Sequence, residues 1–131
     1  MRRFEVAVFA FLFPLASGSL LHAQEQSLTE KEKIEALIAH VKDMKDAKFV
    51  RNDKEYDAGS AARFLRYKWD DLDAQVKTAS DFIEKVASFS ATTGKPYLIR
   101  FKNGTQIQSD KYLREALQKL DKAPGEKGSG K

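Results

Sequence analysis

The sequence predicts an α+β domain in which two β-hairpins pack against about four helices, and the hairpins can join into one four-stranded antiparallel sheet. Three observations carry this. Apolar residues recur at helical spacing in four separate windows. Two turn signals, Asn52-Asp53 and Asn103-Gly104, sit between short runs of strand formers. Each returning strand then runs into a capped helix, and the spacing from Asn52 to Tyr56 is repeated from Asn103 to Ile107. Two hairpin-then-helix units in one chain allow the helices to cover one face of a shared sheet.

In chain order, Thr29 and Glu32 form a capping box that opens the first helix. Ile34, Leu37, Ile38, Val41 and Met44 share one face, with His40 at its edge. Lys48 to Asp57 reads as the first hairpin, and Asp57 is a good N-cap for a second helix from Ala58 to about Val76. Thr78 and Asp81 form another capping box, and Phe82, Ile83, Val86 and Phe89 give the third helix its apolar side. A hydroxyl-rich loop from Ser88 to Lys95 follows. Pro96 cannot donate to a ladder, so it belongs at a strand's first position or on an edge. Tyr97 to Phe101 is the clearest strand, Gln106 to Gln108 returns, and Ser109 caps a last helix bearing Leu113, Ala116, Leu117 and Leu120. Residues 122–131 lack periodicity and read as a disordered tail.

The 131 residues suffice for one domain, residues 24–121, behind a predicted signal peptide at 1–23. Arg2 and Arg3 give the basic start, and the apolar run Val6 to Leu15 is short of the ~20 residues that span a bilayer. Cleavage is expected after Ala23, leaving no stable membrane span and a periplasmic or secreted product. Losing two arginines and one glutamate takes the net charge from +4 to +3. A field this weak argues against nucleic acid. The sequence has no Cys, which excludes disulfides, thiolate metal sites and a cysteine-linked lipid anchor. A domain of about 95 residues buries roughly 60–65% of its unfolded surface, which leaves room for only a small internal cavity.

On a helical wheel Ala61, Leu65 and Leu72 form the core stripe of the second helix, flanked by Ala62, Trp69 and Phe64. Arg63, Arg66, Asp70 and Asp73 lie opposite. Lys68 falls inside the stripe, between Phe64 and Leu72. Either its stem packs and its ammonium snorkels out, or it is a partly buried cation paired with a carboxylate. Arg63, Arg66 and Tyr67 have the chemistry to grip an anion, against the plain reading of a solvated helix face. The Ser90–Lys95 loop departs from a Walker loop, because Pro96 follows Gly94-Lys95 and Phe89 stands where the first Gly belongs. Neither a nucleophile elbow, a zinc-protease helix nor a calcium loop is present, so catalytic residues, metal ligands and cofactors are all read as none.

Three ordered blocks carry a resemblance. Phe49-x-Arg51-Asn52, Tyr56-x-Ala58 and Ala61-Ala62-x-x-Leu65-Arg66-x-Lys68 make the first. Val76-Lys77-Thr78-Ala79-x-Asp81-Phe82-Ile83-Glu84-Lys85 makes the second. Gly94-Lys95-Pro96-Tyr97-Leu98-Ile99, then Gly104, Leu113 and Leu117, make the third. From Ile34 to Leu120 the chain resembles the YfeK-like family of small exported bacterial proteins, a domain of unknown function. The resemblance implies a periplasmic or secreted bacterial protein and no particular activity. It also implies a His in many members before the Leu-Arg pair. This chain has Phe64 there, so a role resting on that His is absent.

The expected function is therefore a small exported non-enzymatic binding or accessory protein. Its expected contact surface is Arg63, Arg66, Tyr67, Lys68, Lys95 and Arg100, facing an anionic ligand or an envelope protein. The alternative is a small envelope hydrolase or transferase using carboxylate and lysine chemistry, in a cleft that gathers Asp57, Lys68 and Tyr97.

Overall fold

Helix α1 (Glu30–Lys42) opens on the expected capping box: Thr29 Oγ1 accepts the Glu32 amide at 3.1 Å and the Glu32 carboxylate accepts the Thr29 amide at 2.9 Å. Ile34, Leu37, Ile38 and Val41 are its buried stripe. The computed structural model describes residues 27–129, so the predicted signal segment lies outside the described residues. Residues Leu28–Lys122 form one unit.

Strands β1 (Lys48–Arg51) and β2 (Lys54–Tyr56) make the first hairpin. Its two-residue turn puts Asn52 at φ 52 and Asp53 at φ 71. Asn and Asp tolerate the left-handed conformation that a tightly twisted hairpin requires. Helix α2 (Ala58–Asp71) follows, with the Ser60 amide donating to Asp57 Oδ1 at 2.8 Å. The expected run to Val76 is broken: α2 stops at Asp71, and a 3₁₀ turn, Asp73–Gln75, takes over. Asp70, Asp71 and Asp73 are weak helix formers and put negative charge at the negative end of the helix dipole.

Helix α3 (Ala79–Lys85) carries the second capping box, Thr78 with Asp81. Its Phe82 and Ile83 are fully buried, as is Val86 at its end. Phe89 departs from the expected apolar side, because the helix has already ended and the residue is 44% exposed in an isolated bridge with Pro96. Strands β3 (Leu98–Arg100) and β4 (Gln106–Gln108) form the second hairpin. Its loop, Phe101 to Thr105, is longer than the first turn and is closed by Gly104 N–H to Phe101 O at 2.9 Å, with Gly104 at φ 94. Helix α4 (Ser109–Ser129) stays helical past Asp121, across part of the segment expected to be disordered.

The two hairpins join in one antiparallel sheet of order β2-β1-β3-β4. The register sets Phe49 opposite both Tyr56 and Ile99, and Ile99 opposite Ile107. Period-2 alternation then puts Phe49, Arg51, Tyr56, Tyr97, Ile99 and Phe101 on one face. That face meets the helices, since Tyr97 packs edge-on against Phe64 of α2 and Phe101 against Tyr112 of α4. The main core lies among α1, α2 and α3, where Leu37, Val41, Phe82 and Ile83 are at most 1% exposed.

Candidate functional site

The inward face of the sheet and helix α2 do not close completely on each other. Between them lies a cavity of about 240 Å³. Its wall is mostly apolar: Val41 from α1, Phe49 from β1, and Ala61, Phe64 and Leu65 from α2. The sequence opens the gap locally. Ser60 and Ala61 are short side chains in the first turns of α2, where that helix crosses the first hairpin. Tyr56, Ser60, Tyr97 and Ser109 bring hydroxyl-bearing side chains to the wall. A wider depression of about 630 Å³ between residues 43–47 and 101–105 is a surface hollow bordered by Asp43, Asp46, Lys45 and Lys102.

One cation stands at the cavity wall. Arg51 ends β1 on the inward phase, two residues from Phe49, and its guanidinium lies 4.6 Å from the centroid of the Phe64 ring. Its Nε is buried and has no hydrogen-bond partner. Its cross-strand neighbour is Lys54, another cation. Like charges directly opposite each other repel, so this end of the hairpin offers Arg51 no neutralising neighbour across the strands.

Behind Phe64, Lys68 is held by neutral groups. Its Nζ donates to the Phe89 carbonyl at 3.0 Å and to the Tyr97 hydroxyl at 2.9 Å. The rings of Tyr97, Phe89 and Phe64 surround it, with centroids at 4.9, 5.9 and 6.0 Å. Ammonium charge is attracted to ring faces, so this cage stabilises the cation where a carboxylate was one of the two expectations. The grouping of Asp57, Lys68 and Tyr97 does not form. Asp57 caps the start of α2, where the Ser60 amide holds its carboxyl below the ordinary range. Lys68 lies eleven residues further along the same helix, about 16 Å along the axis.

The other expected contact residues are dispersed and mostly occupied. Arg66 is bidentate on Glu35 of α1, at 2.6 and 3.1 Å, and that pairing lowers the Glu35 carboxyl and raises the guanidinium. Arg63 donates to Ser60 Oγ at 3.3 Å, and Tyr67 projects into solvent, 75% exposed. Lys95 pairs with Asp53 at 2.8 Å. This bond, with Asn52 bridging Ser90 and Thr93, fastens the hydroxyl-rich loop onto the first hairpin turn. Arg100 lies on the opposite phase from Ile99, away from α2, and pairs with Glu55 and Gln106. Arg66, Lys95 and Arg100 thus each have a carboxylate partner, while Arg63 and Tyr67 are exposed on the same helix as Arg66. His40 contacts the Tyr112 hydroxyl at 3.0 Å, and among the described residues no three His, Asp or Glu side chains converge as metal ligands.

Arg51 belongs to the first of the three family blocks and is not among the expected contact residues. The signal for it was strand phase: a cation two residues from Phe49 points the same way as Phe49.

The family of unknown function DUF5329 matches residues 28–121, the whole of the sheet and the helices that frame the cavity. The chain belongs to that family. It is also similar to the uncharacterised protein YfeK of Salmonella typhimurium strain LT2, 35% identical over 97 residues, which is 74% of this chain and 77% of YfeK. The YfeK-like resemblance drawn from the three sequence blocks is therefore the family relationship. No solved structure matches the chain significantly. Among the described residues of this DUF5329 member, no helix is long and apolar enough to cross a membrane.

Proposed function

We propose that this DUF5329 domain is an exported, non-enzymatic binding protein that takes a small ligand into the cavity between α2 and the sheet. The observation that carries this reading is the cavity itself: about 240 Å³, walled by apolar side chains, with hydroxyl-bearing residues and one cation at its edge. Apolar concavities with a few polar groups are the usual form of small-molecule sites, the apolar wall giving affinity and the polar groups orientation. Export rests on the basic, then apolar, then small-residue pattern of residues 1–23.

The binding part is tested by following backbone amide shifts while the chain is titrated with benzene or 1-octanol. Expected are shifts centred on Val41, Phe64, Leu65 and Tyr97, which disappear when Ala61→Ile fills the space. Shifts absent from these residues, or unchanged by Ala61→Ile, would contradict it. The export part is tested by recovering the chain from fractionated bacteria and sequencing its N-terminus. A start at Gln24 in the envelope fraction is expected, and a full-length cytoplasmic chain would contradict it.

A further inference from the structure

We infer that the cavity's ligand is a small monocarboxylate with an apolar body, its carboxylate taken by Arg51. The inference rests on the reading of the cavity as a binding site and goes on to name the chemistry of what binds.

Size comes first. A cavity of about 150 Å³ holds one benzene molecule. The 240 Å³ here, read on the same scale, admits roughly eight to ten non-hydrogen atoms. That is a short fatty acid or a carboxylate bearing one ring, and it excludes nucleotides, long acyl chains and folded peptides. The wall formed by Val41, Phe49, Ala61 and Leu65 suits an aliphatic or aromatic body.

Charge comes next. Lys33 pairs with Glu30 and Asp121, Arg66 with Glu35, Lys95 with Asp53 and Arg100 with Glu55. Lys68 has its carbonyl, hydroxyl and aromatic cage. Arg51 differs from all of these: among the described residues no carboxylate reaches it, its Nε is buried without an acceptor, and its cross-strand neighbour is Lys54. A buried donor without a partner is costly, and a partner that supplies the acceptor recovers that cost. The edge of a guanidinium, Nε with one Nη, matches the two oxygens of a carboxylate. Because Nε is covered, engagement goes with a rotamer turn of the guanidinium off the Phe64 ring toward the cavity. One arginine balances one negative charge, which favours a monoanion over a phosphate dianion. A cationic ligand would meet Arg51 with like charge.

The probes are octanoate and 1-octanol, of nearly equal apolar body, titrated into the purified chain at pH 7 by calorimetry and amide shifts. Octanoate is expected to bind more tightly than 1-octanol. Arg51→Met is expected to weaken octanoate by roughly tenfold or more while leaving 1-octanol unchanged. Arg51→Lys is expected to restore only part of the loss, because an ammonium lacks the two-pronged edge. Equal affinity for the two probes, or octanoate binding indifferent to Arg51→Met, overturns the carboxylate assignment and leaves the cavity reading standing. Failure of both probes to shift the cavity residues overturns the cavity reading as well. Should Arg51→Met not fold, the comparison of the two probes on the unaltered chain decides alone.

Discussion

Lys68 shows how far a side chain's surroundings depend on residues distant in sequence. The helical wheel placed it among apolar positions, and it does sit among them. What stabilises its charge there, the Phe89 carbonyl and the Tyr97 hydroxyl, comes from segments 21 and 29 residues away. Lys68→Met keeps the stem's bulk but removes both hydrogen bonds and the attraction to three rings. The expected cost is about 1–2 kcal/mol, read from urea midpoints; a variant as stable as the parent would show that the cage contributes nothing. Arg66→Ala is expected to cost no more than about 1 kcal/mol, since both partners of the Arg66–Glu35 pair are roughly half exposed and screened. Arg51 was legible in principle, because strand phase fixed its direction. Helix faces drew the expected contacts to Arg63 and Arg66, of which Arg66 pairs with Glu35, whereas Arg51 is the residue whose buried Nε has no partner.

Hairpins were the most legible elements, and their turns explain why. Asn52-Asp53 and Asn103-Gly104 are written in residues that accept a positive φ, and both turns form where they were read. At Gly104 a Cβ would meet no atom within 4 Å, so any penalty for a side chain is conformational and not steric crowding. Gly104→Ala is therefore expected to destabilise by about 1–2 kcal/mol. Urea unfolding with no change in midpoint would show that the loop relaxes freely. Helix starts were equally readable from Thr29, Asp57 and Thr78, because a cap is a local bond. Helix ends were not. The stop at Asp71 reflects a balance of propensity, dipole and the packing of Val76 that no single residue announces.

For the whole molecule, the joining of the two hairpins in one four-stranded antiparallel sheet was an expectation from the repeated spacing, and the sheet bears it out; the β1–β3 seam comes from the structure. The cavity was not available, because a gap between layers depends on how closely α2 approaches the sheet. The unit is also held by carboxylates at helix starts and between helices. Glu30 is lowered by accepting the Ala79 amide and then by Lys33, Glu35 by Arg66, Asp57 by the Ser60 amide and Asp81 by the Lys77 amide. Each has a folded pKa below its unfolded value, so the unfolded chain binds more protons in acid. Their stabilisation is complete above the unfolded values, about 3.9–4.3, and is lost as pH falls through the folded values. Lys33, raised by Asp121 and Glu30, adds stability that is present below its ordinary value and lost only at strongly alkaline pH. Urea midpoints are thus expected to hold from neutral pH to mild acid and then fall steadily below about pH 4. A midpoint unchanged to pH 3 would show that these contacts do not hold the fold.

The central claim is that the space between α2 and the inward face of the sheet receives the ligand. Intermolecular nuclear Overhauser effects in the octanoate complex test it most directly. Contacts are expected from the chain methylenes to the Leu65 methyls, the Ala61 methyl and the Phe64 ring, with the carboxylate end nearest Arg51. Contacts confined to Arg63 and Tyr67, on the solvent side of the same helix, would contradict it.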